Sequence, residues 1–188
     1  MRESHTPTLN LSHMTNLEWY VAYTYPKFEK RVSEAISRMG VQSFLPLQVS
    51  VRQWSDRKKK VELPLFPNYV FAYTSVQMLA ELRLIDGIAR FISFGGRFAT
   101  ATNAEIQTIK GLLSQKLPIQ REDFSFRIGD LVQINDGPLQ GMKGKLIQRN
   151  GKNRFVAQID SIQQALSVEI PSNYLQVLTS STTSAPSS

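Results

Sequence analysis

"VELPLFPNYVFAY", residues 61–73, decides how this chain is read. It alternates like a strand, yet it holds two prolines, two phenylalanines and two tyrosines. Proline lacks a backbone donor and belongs at sheet edges, strand starts or bulges. Tyr69, Phe71 and Tyr73 fall on one face of such a strand, and Val70 and Ala72 on the other. An earlier stretch, "EWYVAYTY" (18–25), places Trp19, Tyr20, Tyr23 and Tyr25 on both faces of a second strand. One sheet face is therefore expected to be core and the other an exposed aromatic patch, which usually marks a partner site.

Outward from these strands the pattern continues. Pro26 suits a first helical turn, Phe28, Val32, Ala35, Ile36 and Met39 recur at helical spacing, and Gly40 ends the helix. "QSFLPLQVSVRQW" (42–54) reads as a strand, "SDRKKK" (55–60) as a charged turn and "VELPLFPNYVFAYT" (61–74) as a strand again. "SVQMLAELRLI" (75–85) reads as a short helix, and "GIARFISFGG" (87–96) as a strand ending in a Gly-Gly turn. Thr102 with Glu105 forms a capping box ahead of Ile106, Ile109, Leu112 and Leu113. The order β-α-β-β-α-β plus a last helix predicts an α+β fold, a split βαβ antiparallel sheet with helices packed on it. After it, short strands with Gly137, Gly141, Gly144 and Gly151 at turns predict a small β-barrel. The expected organisation is a disordered start (1–16), a first domain (17–116), a linker (117–126), a barrel (127–178) and a disordered tail (179–188).

Composition narrows the function. With no cysteine, disulfides and thiolate metal sites are excluded, which fits a reducing cytoplasm. No apolar run reaches the ~20 residues of a membrane span, and the start has no apolar core of a signal peptide. The only histidines, His5 and His13, lie in the polar start. No nucleophile elbow or phosphate loop is present, so no enzyme activity, metal or cofactor is expected. The net charge is +7, with +5 in residues 1–126 (16 cations against 11 acids) and +2 in residues 127–178 (6 against 4). Moderate basicity in both halves suits nucleic acid or a large acidic assembly, and equally an ordinary soluble protein of high pI. The run Arg57, Lys58, Lys59 and Lys60 is most simply a solvated hairpin tip; its functional reading is a phosphate contact blind to sequence. Lys27, Lys30 and Arg31, with Arg38, form a second basic set away from the apolar stripe of the first helix.

"WYVAYTYPKFEKRV" followed by "PLFPNYVF" resembles the amino-terminal domain of the NusG family of transcription elongation factors. "GDLVQINDGPLQGMKGKLIQ" resembles the KOW motif that follows it there. Asn68, where housekeeping members usually carry Gly, resembles the specialised RfaH and UpxY paralogues, and the preceding "RQWSDRKKKVEL" leans towards the UpxY regulators of surface-polysaccharide operons. The resemblance implies a fold of NGN type followed by an SH3-like KOW barrel. It implies docking on the clamp helices of the largest subunit of RNA polymerase through a cavity lined by Tyr23, Phe66, Tyr69 and Phe71, supported by Pro67 and Trp19. Suppressed pausing and termination would follow in a monomeric cytoplasmic bacterial protein. Non-template or upstream DNA, and a ribosomal protein or Rho on the barrel, are further partners it suggests. "DSIQQAL" (160–166) falls where a barrel contact loop would lie, with Ile162 as its apolar tip, and reads equally as a plain hairpin turn. "VQMLAEL" replaces the His-Thr-Thr segment of RfaH, and a Val-, Ile- and Gly-rich second domain favours a stable barrel over that paralogue's helical, cavity-masking form. The rival reading is an RNA- or ribosome-binding KOW protein acting through Lys143, Lys145 and Arg149, with the first domain as a docking adaptor.

Overall fold

The computed structural model describes residues 16–53, 58–115, 119–122, 130–137, 139–149 and 152–179. In the N-terminal domain the elements are β1 (Glu18–Thr24), α1 (Glu29–Arg38), β2 (Gln42–Phe44), β3 (Leu47–Gln53), β4 (Lys58–Pro64), β5 (Tyr69–Thr74), α2 (Leu79–Leu82), β6 (Ile88–Phe91), β7 (Ser93–Phe94), β8 (Arg97–Phe98), β9 (Thr100–Ala101) and α3 (Asn103–Ser114). The main sheet runs β2-β5-β1-β6, with β9 also paired to β1. Its central register sets Val21 opposite Phe71 and Tyr23 opposite Tyr69.

The decisive stretch is two strands rather than one. β4 pairs with β3 in a separate ribbon, ending where Leu47 meets Pro64. Residues 65–68 turn, and β5 starts afresh in the main sheet. Proline cannot continue a ladder on both sides, and Asn68 adopts a left-handed φ of +73° that reverses the chain. A similar break at Pro46 separates β2 from β3. The charged run is also strand rather than turn at its end: Lys58, Lys59 and Lys60 pair with Gln53, Arg52 and Val51. Pro26 lies in a turn with Lys27 (φ +70°), so α1 begins at Glu29. The predicted helix over 75–85 contracts to the single turn of α2.

The two faces of the main sheet are filled differently. Tyr20, Ala22, Val70 and Ala72 meet Val32 and Ile36 of α1 and Leu79 and Leu82 of α2. Trp19, Val21 and Phe71 meet Ile106, Ile109 and Leu112 of α3. The capping box forms as expected: Glu105 N donates to Thr102 Oγ1 (3.1 Å) and Thr102 N to Glu105 Oε2 (2.7 Å).

The C-terminal domain holds β10 (Gln120–Glu122), β11 (Leu131–Ile134), β12 (Lys143–Arg149), β13 (Lys152–Ile159), β14 (Gln164–Glu169) and β15 (Leu175–Thr179). They form the small antiparallel barrel sheet in the order β10-β14-β13-β12-β11-β15 around Val132, Ile134, Phe155, Ala157, Leu166 and Val168. The expected linker thus contributes a strand, β10, to this sheet. Gly137 and Gly141 have the positive φ their turns require. Gly144 instead lies within β12, where a Cβ would fall 2.5 Å from the Val156 carbonyl oxygen. Gly151, the start up to residue 15 and the tail from 180 lie outside the described residues. Among the described residues no helix is long and apolar enough to cross a membrane.

Candidate functional site

The Asn68 turn fixes one end of the aromatic face. Its backbone N donates to Glu29 Oε1 (2.9 Å), its Nδ2 donates to the Thr24 carbonyl (3.1 Å), and its own carbonyl accepts from Thr24 N (2.8 Å). Glu29 is buried, so this bond ties the start of α1 to the turn between β4 and β5. The ends of β1 and β5 are thereby held together, and the next residue, Tyr69, is presented beside Tyr23. Their rings meet edge to face with centroids 5.3 Å apart. Arg90, opposite Tyr23 on β6, lays its guanidinium 4.8 Å from the Tyr23 ring centroid. Burial pushes the Tyr69 phenol above its ordinary value of 10.0; the neighbouring Tyr23 adds to the rise and the Arg90 cation opposes it.

The rings continue along the sheet. Phe71 packs against Phe44, and Trp19 against both Tyr73 and Phe44. Lys110 of α3 places Nζ 5.3 Å from the Phe44 ring centroid. Trp19 Nε1 donates to Asn103 Oδ1, which satisfies its polar end.

The expected exposed patch is overturned for much of this face. Phe66 is 1% exposed and Phe71 0%, and both belong to a core that α3 and the C-terminal domain share. Periodicity identifies the face but not what lies on it, because α3 and the barrel arrive from distant sequence. What stays partly open is the Tyr23–Tyr69 pair beneath Arg90, with Pro67 exposed at the neighbouring turn.

Two of the expected basic residues are engaged in surface ion pairs. Lys30 pairs with Glu62 (3.6 Å) and Arg31 with Asp86 (3.0 Å). Lys27 is exposed in its turn, and Lys59 and Lys60 are exposed on β4; Arg57 lies outside the described residues. Sequence reasoning missed Arg90, whose role depends on the β1–β6 register that no local pattern announces.

Ile162 is not an exposed tip. It ends a 3-10 turn (Asp160–Ile162) and is 4% exposed. Ser161 N in the same turn donates to Glu105 Oε1 (3.0 Å), so the barrel is tied to the first turn of α3. Alongside, the Met142 side chain reaches Gly111 in the middle of α3. Gln48 Nε2 donates to the Ile119 carbonyl (3.3 Å), tying the β3–β4 ribbon to the segment that leads into β10. Among the described residues no group of His, Cys, Asp or Glu could hold a metal ion.

Fold and site together define a two-domain α+β and β-barrel protein whose main sheet carries a largely buried face of aromatic rings, with Tyr23 and Tyr69 partly open beside Arg90. A family model described as "Transcription termination factor nusG" matches residues 17–110, which are half of the chain. The chain belongs to the NusG family. It is similar to the "Transcription termination/antitermination protein NusG" of Vibrio cholerae, with 25% identity over 177 residues that cover 85% of this chain and 95% of that one. The protein of the same description from Rickettsia typhi is 24% identical over 172 residues, covering 85% and 88%. Among solved structures, "Domain interaction in Thermotoga maritima NusG" aligns with a TM-score of 0.51 at 21% identity, covering 87% of this chain and 98% of that one, and supports the fold.

Proposed function

We propose that this chain is a transcription elongation and antitermination factor whose N-terminal domain docks on the clamp helices of the largest subunit of RNA polymerase. The observation that carries this reading is the Tyr23–Tyr69 pair, held edge to face at 5.3 Å by the Asn68 turn inside the region matched to the family. Rings already fixed by packing lose little entropy on binding, so a partner helix can lay apolar side chains against them at low cost. Arg90 above Tyr23 offers a cation to an acidic group on that helix. Phe66 and Phe71 form the buried floor, and Pro67 shapes the rim.

Docking across the cleft favours a closed clamp and so disfavours pausing and termination, which is a population shift with no chemistry on substrate. Lys27, Lys59 and Lys60 are the cations placed to meet DNA phosphate. Lys30 and Arg31 are already engaged with Glu62 and Asp86. The resemblance of Asn68 to the specialised paralogues supports a role on operons of the surface-polysaccharide type; the cytoplasm as its location, and a ribosomal protein or Rho as the barrel's partner, rest on the family match.

Tyr69→Ala should lower capture of purified polymerase at least tenfold and abolish terminator read-through in a purified transcription assay, with the circular dichroism spectrum unchanged. Replacing Lys59 and Lys60 should weaken DNA retention and flatten its salt dependence without changing polymerase capture. Capture of polymerase by Tyr69→Ala at the wild-type level would defeat the reading.

A further inference from the structure

A groove of about 440 Å³ opens between α2, β6 and the hairpin of β7 and β8. Its lining includes the buried Leu79 and Phe91, the half-exposed Val76 and Phe98, and two arginines, Arg83 and Arg90. We propose that this groove binds a small amphipathic anion, with an aryl group between Val76, Phe91 and Phe98 and a phosphate or carboxylate head on Arg83 and Arg90. The volume lies within the range of about 300–1,000 Å³ that small-molecule pockets span.

Local sequence builds the groove. Gly95 and Gly96, both at positive φ, turn the chain so that β8 runs back along β7 and Phe98 comes opposite Ser93. Phe98 then meets Tyr20 and Phe91 edge to face, with ring centroids 6.3 and 6.4 Å away. On the other side, the single turn of α2 buries Leu79 in the core beneath the sheet, and the residues leading into it leave Val76 outside. Phe98 and Val76 each keep 46% of their surface exposed. Apolar area is thus left in water on two sides of a floor that is already packed. A ring held by its neighbours loses little freedom when a ligand arrives, so the site is formed in advance.

The lining also sets the charge of the ligand. None of its residues is acidic, and two are arginine. Both arginines are exposed, and among the described residues neither is paired with a carboxylate. A guanidinium fork meets the oxygens of a phosphate or carboxylate two at a time. Arg90 has a second task, since its guanidinium lies 4.8 Å from the Tyr23 ring centroid. An anion in the groove therefore competes with the Tyr23 ring for this cation. The consequence for docking rests on the clamp-helix reading: a bound anion draws Arg90 from the rim and weakens capture of polymerase.

Naphthyl phosphate is the probe, titrated into the full-length chain and followed by its fluorescence polarisation, with neutral naphthol as its twin. The phosphate should bind saturably, and naphthol at least tenfold more weakly. Arg83→Gln should lower affinity about tenfold, the loss of a charge-assisted contact. Val76→Glu, at an exposed position, should abolish binding by setting a carboxylate in the wall. Both variants should keep the wild-type circular dichroism spectrum. Equal binding of the two probes, or an affinity that neither substitution moves, overturns the site. Arg83-dependent binding of an acidic peptide or a single-stranded oligonucleotide, with none of naphthyl phosphate, gives the groove to a macromolecule and overturns the small ligand. Saturating naphthyl phosphate should also lower polymerase capture severalfold in the wild-type chain and leave it unchanged in Val76→Glu. Capture that the bound probe does not move overturns the link to docking and leaves the site standing. No capture with or without the probe overturns the docking reading, and the titration alone then decides the site.

Discussion

The two faces of the main sheet are both buried, and by different kinds of neighbour. On one, Tyr20, Ala22, Val70 and Ala72 are sealed by α1 and α2, close neighbours in sequence to the strands they cover. On the other, Trp19, Val21 and Phe71 lie in a core completed by α3 and by a separate domain. A face closed by its own connections is fixed once the domain folds. A face closed partly by another domain shares its core with residues far away in sequence, so its packing answers to changes in both domains. Trp19, Tyr23, Tyr69, Phe71 and Tyr73 are on the second face, and Tyr20 is on the first. The proposed binding residues Tyr23 and Tyr69 thus border the shared core, while the other face is closed within its own domain.

The largest expected effect tests the sealed face. Ile36 is fully buried between α1 and the sheet, and Ile36→Ala should cost about 2–5 kcal/mol in urea unfolding of the N-terminal domain. The barrel amide resonances of the full chain should stay in place as long as that domain remains folded. Ile109→Ala on α3 removes comparable volume from the shared core, so a similar loss is expected. In that variant, however, barrel resonances near Met142 and Ile162 should move as well. If those resonances respond to Ile36→Ala and Ile109→Ala alike, the two faces are not distinct in the way argued.

A smaller effect tests the turn that sets the rim. Asn68 holds φ at +73° and makes three bonds to β1 and α1. Asn68→Ala should destabilise by about 1–2 kcal/mol, since a Cβ without a local hydrogen bond is strained in the left-handed region. Asn68→Gly keeps the conformation and loses only the Nδ2 bond, which leaves it within about 1 kcal/mol of wild type. Measured by thermal unfolding, the order should be Asn, Gly, Ala from most to least stable. If alanine proves as stable as asparagine, the turn does not constrain Tyr69.

What could be read from sequence follows the range of the forces involved. The capping box at Thr102 and Glu105 was legible because both partners lie within one helical turn. The division of Tyr69, Phe71 and Tyr73 from Val70 and Ala72 was legible because strands alternate with period two. The break at Pro64 was not, since β4 and β5 each satisfy a strand pattern and only pairing assigns them to different sheets. The burial of Ile162 and the slot at Gly111 depend on contacts between residues far apart in sequence. Gly111, in the middle of α3, names no partner by itself. Arg90 became visible only through its register with Tyr23. The division of residues between the two faces was therefore read correctly, while the exposure of the aromatic one was misjudged.

The smallest expected effect bears on the open rim itself. Burial and Tyr23 raise the Tyr69 phenol above 10.0 while Arg90 lowers it. Below pH about 10 the phenol is neutral in both folded and unfolded chains and adds no pH dependence. Above that the unfolded chain ionises first, so stability falls with rising pH until the folded phenol ionises too. Tyr20, raised chiefly by burial and further by Glu18, acts in the same direction. The Tyr69→Phe chain should lose less stability in alkali than wild type, by less than any effect above. Two further variants separate the neighbours, with Tyr69 followed through a carbon label on its phenol. Arg90→Gln removes the cation that favours phenolate and should move the Tyr69 titration upward. Tyr23→Phe removes the second ionising ring and should move it downward. Opposite shifts would establish that the cation and the ring pair act on Tyr69 as one electrostatic unit. Shifts of the same sign, or none, would mean that the rings are set by packing alone and that Arg90 only borders them.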